Sequence, residues 1–299
     1  MAHTERMSFK EFRTRFSDDR ACKNYMFKLR FPKGFICPKC GNQTYSFLKS
    51  RGLFQCSQCR RQTSLTSGTV MHKTHLPMTV WFWAIYLISK DKRGISATQL
   101  ATELSLSYET AWYLLHRIRK AMSQRDMEYL LSGVVELDDT YFGSTEEGGK
   151  RGRGTSKAKI VVAVSKDRKG KPQYLKMQAV GNLKGETIGA FAESCITRGS
   201  IIQSDAYRSY RKPLGENYTH QYDVFDSDKD MLRWLHIIVG NLKAFLLGTY
   251  HGNCRINLQA FLDEFCYRFN RRWHKDELFT RLLNAVSNSY ILCPAELSR

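Results

Sequence analysis

Val134–Val135–Glu136–Leu137–Asp138–Asp139–Thr140 is an apolar run that ends in carboxylates. Gly133 punctuates its start, and Val134, Val135 and Leu137 ask for an apolar environment, so the stretch reads as a buried β-strand. A carboxylate at the end of such a strand is costly unless something pairs with it. A second apolar run, Ser200–Ile201–Ile202–Gln203–Ser204–Asp205, ends the same way. Two short strands, each ending in Asp, can bring two carboxylates to one sheet edge. That is the donor set a divalent cation needs for phosphoryl transfer. Singly, either Asp reads as a polar strand end in a turn; the pair and its flanks favour a site.

The surrounding chain supplies the rest of a sheet. Ile160–Ser165 and Gln173–Ala179 read as strands joined by a turn at Lys166–Lys171, so the first three strands form an antiparallel meander. Gly185–Thr197, Leu232–Leu247 and Leu258–Arg272 read as helices. Three antiparallel strands, a helix, a further strand and more helices make a ribonuclease H-like layout. Between the first two strands, Ser144–Lys159 is rich in Gly, Lys and Arg. It lacks the order of a phosphate-binding P-loop. It is expected to touch nucleic-acid phosphates through Lys150, Arg151 and Arg153.

Upstream stand two knuckles, Cys37–Pro38–Lys39–Cys40 and Cys56–Ser57–Gln58–Cys59, with fifteen residues between them. A two-residue gap lets both sulfurs of a knuckle reach one ion, so the pattern predicts a structural zinc on Cys37, Cys40, Cys56 and Cys59. Thr44–Leu48 and Leu53–Gln55 read as a hairpin between the knuckles. Cys22, Cys195, Cys254, Cys266 and Cys293 have no such spacing and read as core or incidental residues. Thr63–Leu76, with His72 and His75, reads as a linker.

Three helices are then expected: Pro77–Ser89, Ile95–Leu104 with Ser96 as its N-cap, and Tyr108–Met122. A tight turn followed by a basic helix fits helix-turn-helix, whose last helix enters the major groove. Arg117, Arg119 and Lys120 are the expected DNA contacts. An ordinary three-helix packing module would share the pattern.

Composition agrees with a nucleic-acid partner. Lys and Arg number 47 against 28 Asp and Glu, a formal net charge of +19 over 299 residues. Such an excess points to a polyanion. Val80–Ile88 is apolar but too short to span a bilayer, and the polar N-terminus is no signal peptide. The expectation is a cytoplasmic protein without a membrane partner and without a disulfide framework.

The order of the motifs resembles a DDE-type insertion-sequence transposase with an N-terminal zinc ribbon, of the insertion-sequence family 1595 type. The motifs are Cys37-Pro38-Lys39-Cys40-Gly41, Thr66-Ser67-Gly68-Thr69, Gly94-Ile95-Ser96-Ala97, Val135-Glu136-Leu137-Asp138-Asp139-Thr140-Tyr141, Ser204-Asp205-Ala206-Tyr207, Gly248-Thr249-Tyr250-His251, Asp263-Glu264-Phe265 and Arg268-Phe269-Asn270-Arg271-Arg272. The resemblance implies catalytic Asp138 and Asp205, with Asp139 as an alternative to Asp138. Relatives carry a helical Glu seven residues before a Lys, shortly before the Gly-x-Tyr-His motif. Here the Lys is Lys243 and the Glu position holds His236. Asn241, whose distance from Asp205 is closer to the usual gap, is the competing third residue. Glu264 is another, and it reads more simply as a partner for Arg268, Arg271 and Arg272. A His ligand leans a hard-cation site from Mg²⁺ toward Mn²⁺.

The expected architecture is α+β and multidomain: an N-terminal helical segment (1–30), zinc ribbon (31–66), helix-turn-helix domain (77–125), ribonuclease H-like catalytic domain (130–275) and C-terminal tail (276–299). The expected activity is metal-dependent cleavage and strand transfer at element ends, with Zn²⁺ structural and Mg²⁺ or Mn²⁺ catalytic. The expected partner is double-stranded DNA, both terminal inverted repeats and target, bound by a homodimer or higher oligomer. The alternatives are a DNA-binding regulator with an inactive catalytic domain, and a ribonuclease H-like nuclease.

Overall fold

The computed structural model describes residues 7–143, 155–223, 232–250 and 256–290. The chain divides into two compact units, one made of residues 1–125 and 274–299, the other of Asp126–Trp273.

In the first unit, helices α1 (Phe9–Arg15) and α2 (Asp19–Arg30) precede a three-stranded antiparallel sheet: β1 (Tyr45–Leu48), β2 (Leu53–Cys56) and β3 (Gln62–Ser64). The hairpin expected from sequence is there, and a third strand completes it. Gly52 sits at its turn with φ +64°, which only glycine adopts freely. Phe27 of α2 packs on Phe54, and Phe31, just past the helix end, packs on Phe54 and Phe35 beside the sheet, so the end of α2 belongs with the ribbon. The presumed linker is packed too: Thr69, Val70 and Met71 are buried. The Arg30 guanidinium gathers the carbonyls of Ser64, Leu65 and Ser67, which fixes the Thr66–Thr69 turn.

Helices α3 (Met78–Lys90), α4 (Ala97–Leu104) and α5 (Tyr108–Met127) follow. Pro77 offers α3 no side-chain cap; Asp19 Oδ1 instead accepts from the Met78 amide at 2.5 Å. Ser96 Oγ accepts from the Gln99 amide, and Ser107 Oγ accepts from the Thr110 amide. Ser105, left-handed with φ 52°, turns the chain between α4 and α5. The stretch expected as a tail holds helix α10 (Leu278–Asn288), which packs against α3 and α2. Its Phe279 ring lies 5.5 Å from Phe12, which stacks on Tyr86. That apolar face makes it part of the first unit, not a tail.

The second unit is a five-stranded sheet in the order β6-β5-β4-β7-β8, where β4 is Val134–Phe142, β5 Ala158–Lys166, β6 Pro172–Val180, β7 Ile201–Asp205 and β8 Thr219–Asp223. β4, β5 and β6 run antiparallel; β7 lies parallel to β4, and β8 parallel to β7. This is the ribonuclease H-like order, with β8 and helix α7 (Arg208–Gly215) added to the elements expected from sequence. One face of the sheet packs on α6 (Gly185–Cys195) and α7 through Val135, Leu137, Ile188, Phe191 and Tyr210. The other packs on α8 (Arg233–Thr249) and α9 (Leu258–Asn270) through Val162, Val164, Leu235, Leu242 and Leu262.

Candidate active site

Strand alternation decides where the carboxylates go. Val135 and Leu137 enter the core under α6 and α7, and residues two apart share a face. Glu136 and Asp138 therefore stand on the opposite face, under α8. The Leu235 amide of α8 donates to Glu136 Oε2 at 3.0 Å, which establishes that face. On β7, Ile202 belongs to the α6–α7 core, so Gln203 and Asp205 share the face of Glu136. Glu136 and Gln203 are register partners in the parallel β4–β7 pair. The next residues on that face are Asp138 and Asp205. The ladder ends at the Glu136–Gln203 pair, and each aspartate lies two residues beyond it on its own strand, on the same face; both are half-buried.

Local hydrogen bonds orient each carboxylate. Asp138 Oδ1 accepts from the Asp139 amide at 2.8 Å, and Asp205 Oδ1 accepts from the Tyr207 amide at 3.1 Å. Asp139 points the other way. Its Oδ1 accepts from the buried Tyr210 hydroxyl at 2.8 Å. Burial, and then the carboxylates of Asp139 and Asp138, push the Tyr210 phenol far above its ordinary range, with Asp205 adding to the effect. The phenol therefore stays protonated and donates to Asp139. Sequence reasoning did not find Tyr210. Behind Asp205, Ser204 Oγ donates to the Asp205 carbonyl and lies 2.8 Å from His220 Nε2.

His236, Asn241 and Lys243 are all exposed on α8. At 100° per residue, His236 and Lys243 share a helix face, whereas Asn241 lies about 140° around from His236. Glu264 is committed elsewhere. It is 2% exposed, pairs with Arg268 at 2.8 Å and accepts from the Tyr250 hydroxyl at 3.1 Å. Of the three expected arginines, Arg268 is the one that pairs with it among the described residues. Arg271 pairs with Asp126 at 2.7 Å and lies over the Tyr267 ring, and Arg272 donates to the carbonyls of Gln173 and Pro172. The Asn270–Arg271 part of that motif is thus a buried lock, with Asn270 donating to Asp126 and accepting from the Leu175 amide.

Residues 130–270 match the family model of the ISXO2-like transposase domain, and residues 17–62 match the transposase zinc-ribbon domain of the same insertion-sequence group. Together they take in more than half of the chain. The chain belongs to this insertion-sequence transposase family. A relative in Halobacterium salinarum, named as an uncharacterized protein in transposable element ISH50, is 26% identical over 296 residues, covering 91% of this chain and 98% of its own. Among solved structures, the Mos1 strand transfer complex aligns at 15% identity and a TM-score of 0.29, covering 71% of this chain and 79% of its own. The Mos1 mariner paired-end complex with Mn aligns at 12% identity and a TM-score of 0.26, covering 70% and 80%. Superpositions that loose carry no residue equivalences.

The transposase holds its four ribbon cysteines ready for a tetrahedral ion. Among the described residues, Cys37, Cys40, Cys56 and Cys59 form a group whose ligand atoms all lie within 4.8 Å of one another. The Sγ–Sγ distances are 3.5 Å for Cys37–Cys59 and 3.6 Å for Cys40–Cys56. Zinc–sulfur bonds of about 2.3 Å in a tetrahedron put sulfurs about 3.8 Å apart, so the cage fits zinc. Each knuckle closes on a left-handed residue, Gly41 in the first and Arg60 in the second. Amide donation from Cys59 and the side-chain amide of Asn42 help to lower the Cys56 thiol to about 6, whereas, against the Asn42 amide, burial and the neighbouring sulfurs push the Cys40 thiol up to about 12. Asp138, Asp205 and His236 do not converge to the cysteines' spacing.

The expected DNA contacts on α5 need correction. Arg119 is 3% exposed. Arg117 donates to the Val70 and His72 carbonyls at 3.1 and 3.0 Å, which ties α5 to the segment after the ribbon. Arg119 is thus on the buried side of α5, and Arg117 spends its Nη1 within the protein while remaining half-exposed. Lys120 is half-exposed. The open face of the transposase's α5 is its N-terminal half, with Tyr108 54% and Tyr113 50% exposed. Lys150, Arg151 and Arg153 lie outside the described residues. No helix among the described residues is long and apolar enough to cross a membrane.

Proposed function

We propose that this transposase cuts and joins DNA at the ends of its element with divalent cations held by Asp138 and Asp205, and with His236 as the third metal-facing group. The observation that supports the proposal is the parallel β4–β7 register at Glu136 and Gln203, whose next same-face residues are the two aspartates, on the face covered by α8. Two carboxylates suit a hard cation that takes its other ligands from water and substrate phosphate. Bound there, such ions would activate a water or a DNA 3′-hydroxyl and stabilise the leaving oxygen.

The chain's own residues do the positioning. The Tyr207 amide and the Asp139 amide aim the two carboxylates. Tyr210 holds Asp139 on the other face, which supports Asp138 as the ligand. His236 follows Leu235, the residue whose amide is anchored on Glu136. Lys243, on the same helix face as His236, is suited to a DNA phosphate. Asn241 lies about 7.5 Å further along the helix axis than His236. Two element ends must be joined, so two or more copies of the chain act together on DNA. The N-terminal half of α5, with Tyr108 and Tyr113, is the part offered to a groove.

The test uses purified protein and labelled DNA carrying the terminal inverted repeats, in Mg²⁺ and in Mn²⁺. His236→Ala is expected to lose most cleavage, His236→Glu to retain activity with Mg²⁺, and Asn241→Ala to be the milder lesion. Full activity in His236→Ala with loss in Asn241→Ala hands the third position to Asn241.

Binding is expected to be steeply salt-dependent, given the net charge of +19. A protein neutralising six to ten phosphates loses roughly 10³–10⁵ in affinity between 50 and 200 mM salt through counterion release. A titration of end DNA across that range checks it; a flat response contradicts a phosphate-led interface.

A further inference from the structure

Glu136 is the carboxylate of the central strand that the chemistry above leaves unused. It is 3% exposed, on the same face as Asp138 and one same-face step before it. Its two oxygens have different partners: Oε1 lies 3.2 Å from Lys166 Nζ, and Oε2 accepts the Leu235 amide at 3.0 Å. Lys166 also donates to Gln203 Oε1 at 2.5 Å, and Gln203 Nε2 donates to Gln221. The network therefore crosses β5, β4, β7 and β8 and ends on α8.

The helix needs what Glu136 supplies. Leu232, before its first residue, is left-handed with φ 52° and offers no side-chain cap. First-turn amides have no partner within a helix, and an anion is favoured at that end. A salt bridge to Lys166 would occupy one oxygen alone; the second oxygen is on the helix. Leu235 is itself 1% exposed, so its amide has no recourse to water.

We propose that Glu136 is a positioning residue: its carboxylate docks the first turn of α8 on β4 beside the Asp138–Asp205 pair and so fixes where His236 is held. The inference rests on His236 as the third metal-facing group.

The test takes full-length protein and two readouts that do not depend on turnover. One is amide hydrogen exchange over residues 232–239. The other is half-saturating Mn²⁺, followed by electron paramagnetic resonance of the free ion. Glu136→Ala should speed exchange in that segment and raise half-saturating Mn²⁺ by roughly 10- to 100-fold, the usual effect of losing a group that orients a metal ligand. His236→Ala should raise it similarly. The double variant should be no worse than His236→Ala, because contacts acting through one another are not additive. Glu136→Gln keeps an acceptor for the Leu235 amide and should preserve the slow exchange. Should Glu136→Ala fail to fold, Glu136→Leu removes the acceptor at nearly constant volume and carries the same comparison. Unchanged exchange in the acceptor-less variant, or Mn²⁺ effects that multiply in the double variant, overturns the proposal while leaving His236 in place. Unchanged Mn²⁺ binding in His236→Ala removes the third-group reading, and this inference with it.

Discussion

Asp138→Asn and Asp205→Asn should each leave a transposase that binds element ends and does not cut them. Either substitution deletes a charged oxygen donor from the pair on β4 and β7. Stabilisation of several kcal/mol by a bound cation corresponds to about a thousandfold in rate or more. Folding should survive, because asparagine keeps the Oδ1 that accepts the Asp139 amide in one case and the Tyr207 amide in the other. Asp139 provides the contrast. Asp139→Asn retains an acceptor for Tyr210 and should keep most cleavage. Asp139→Ala leaves a buried hydroxyl unpaired and should lower stability by about 1–3 kcal/mol. End cleavage on labelled DNA and thermal unfolding separate the two effects. Wild-type cleavage in Asp138→Asn, with loss in Asp139→Asn, would move the first catalytic position to Asp139.

What could be read from the sequence was what local chemistry determines. The valines of β4, the isoleucines of β7 and the paired knuckles carry their meaning within a few residues, and they gave the sheet centre and the zinc cage. β8 carries no such signal. It is a sheet-edge strand, Thr219–Asp223, mostly exposed and without apolar alternation. Helix α7 is eight residues long and contains Pro213, which sequence rules take as a breaker. Tyr210 was invisible for a related reason: its partner Asp139 is distant in sequence and meets it only once β4 and α7 pack.

Other misses were legible in principle. Phe279, Leu282, Leu283 and Val286 recur at helical spacing in the supposed tail, and all are buried in α10. Arg119 sits four residues after Leu115 and three before Met122, both buried. Residues at those spacings share a helix face, so the charge was on the inner side of α5 all along. Glu264 is an ion-pair partner of Arg268, while Arg271 pairs with Asp126, a residue distant in sequence that meets it only in the folded chain.

The second large effect is expected at the ribbon. Protein purified without chelator should carry one zinc per chain, and Cys40→Ser should lose it. The sheet there has short strands, and its packing comes mainly from Phe27, Phe35 and Phe54. A fold that small draws much of its stability from the metal, so ion binding and folding are one equilibrium. Serine removes a thiolate from a cage in which the Cys40 and Cys56 sulfurs lie 3.6 Å apart, and a hydroxyl is a poor replacement for the soft donor. Amide exchange in residues 37–64 should become fast, and binding to element ends should fall, while the 130–270 domain keeps its protection. Metal analysis with exchange mass spectrometry measures both. Stoichiometric zinc in Cys40→Ser, or none in the native protein, would show that the four sulfurs do not act as one site.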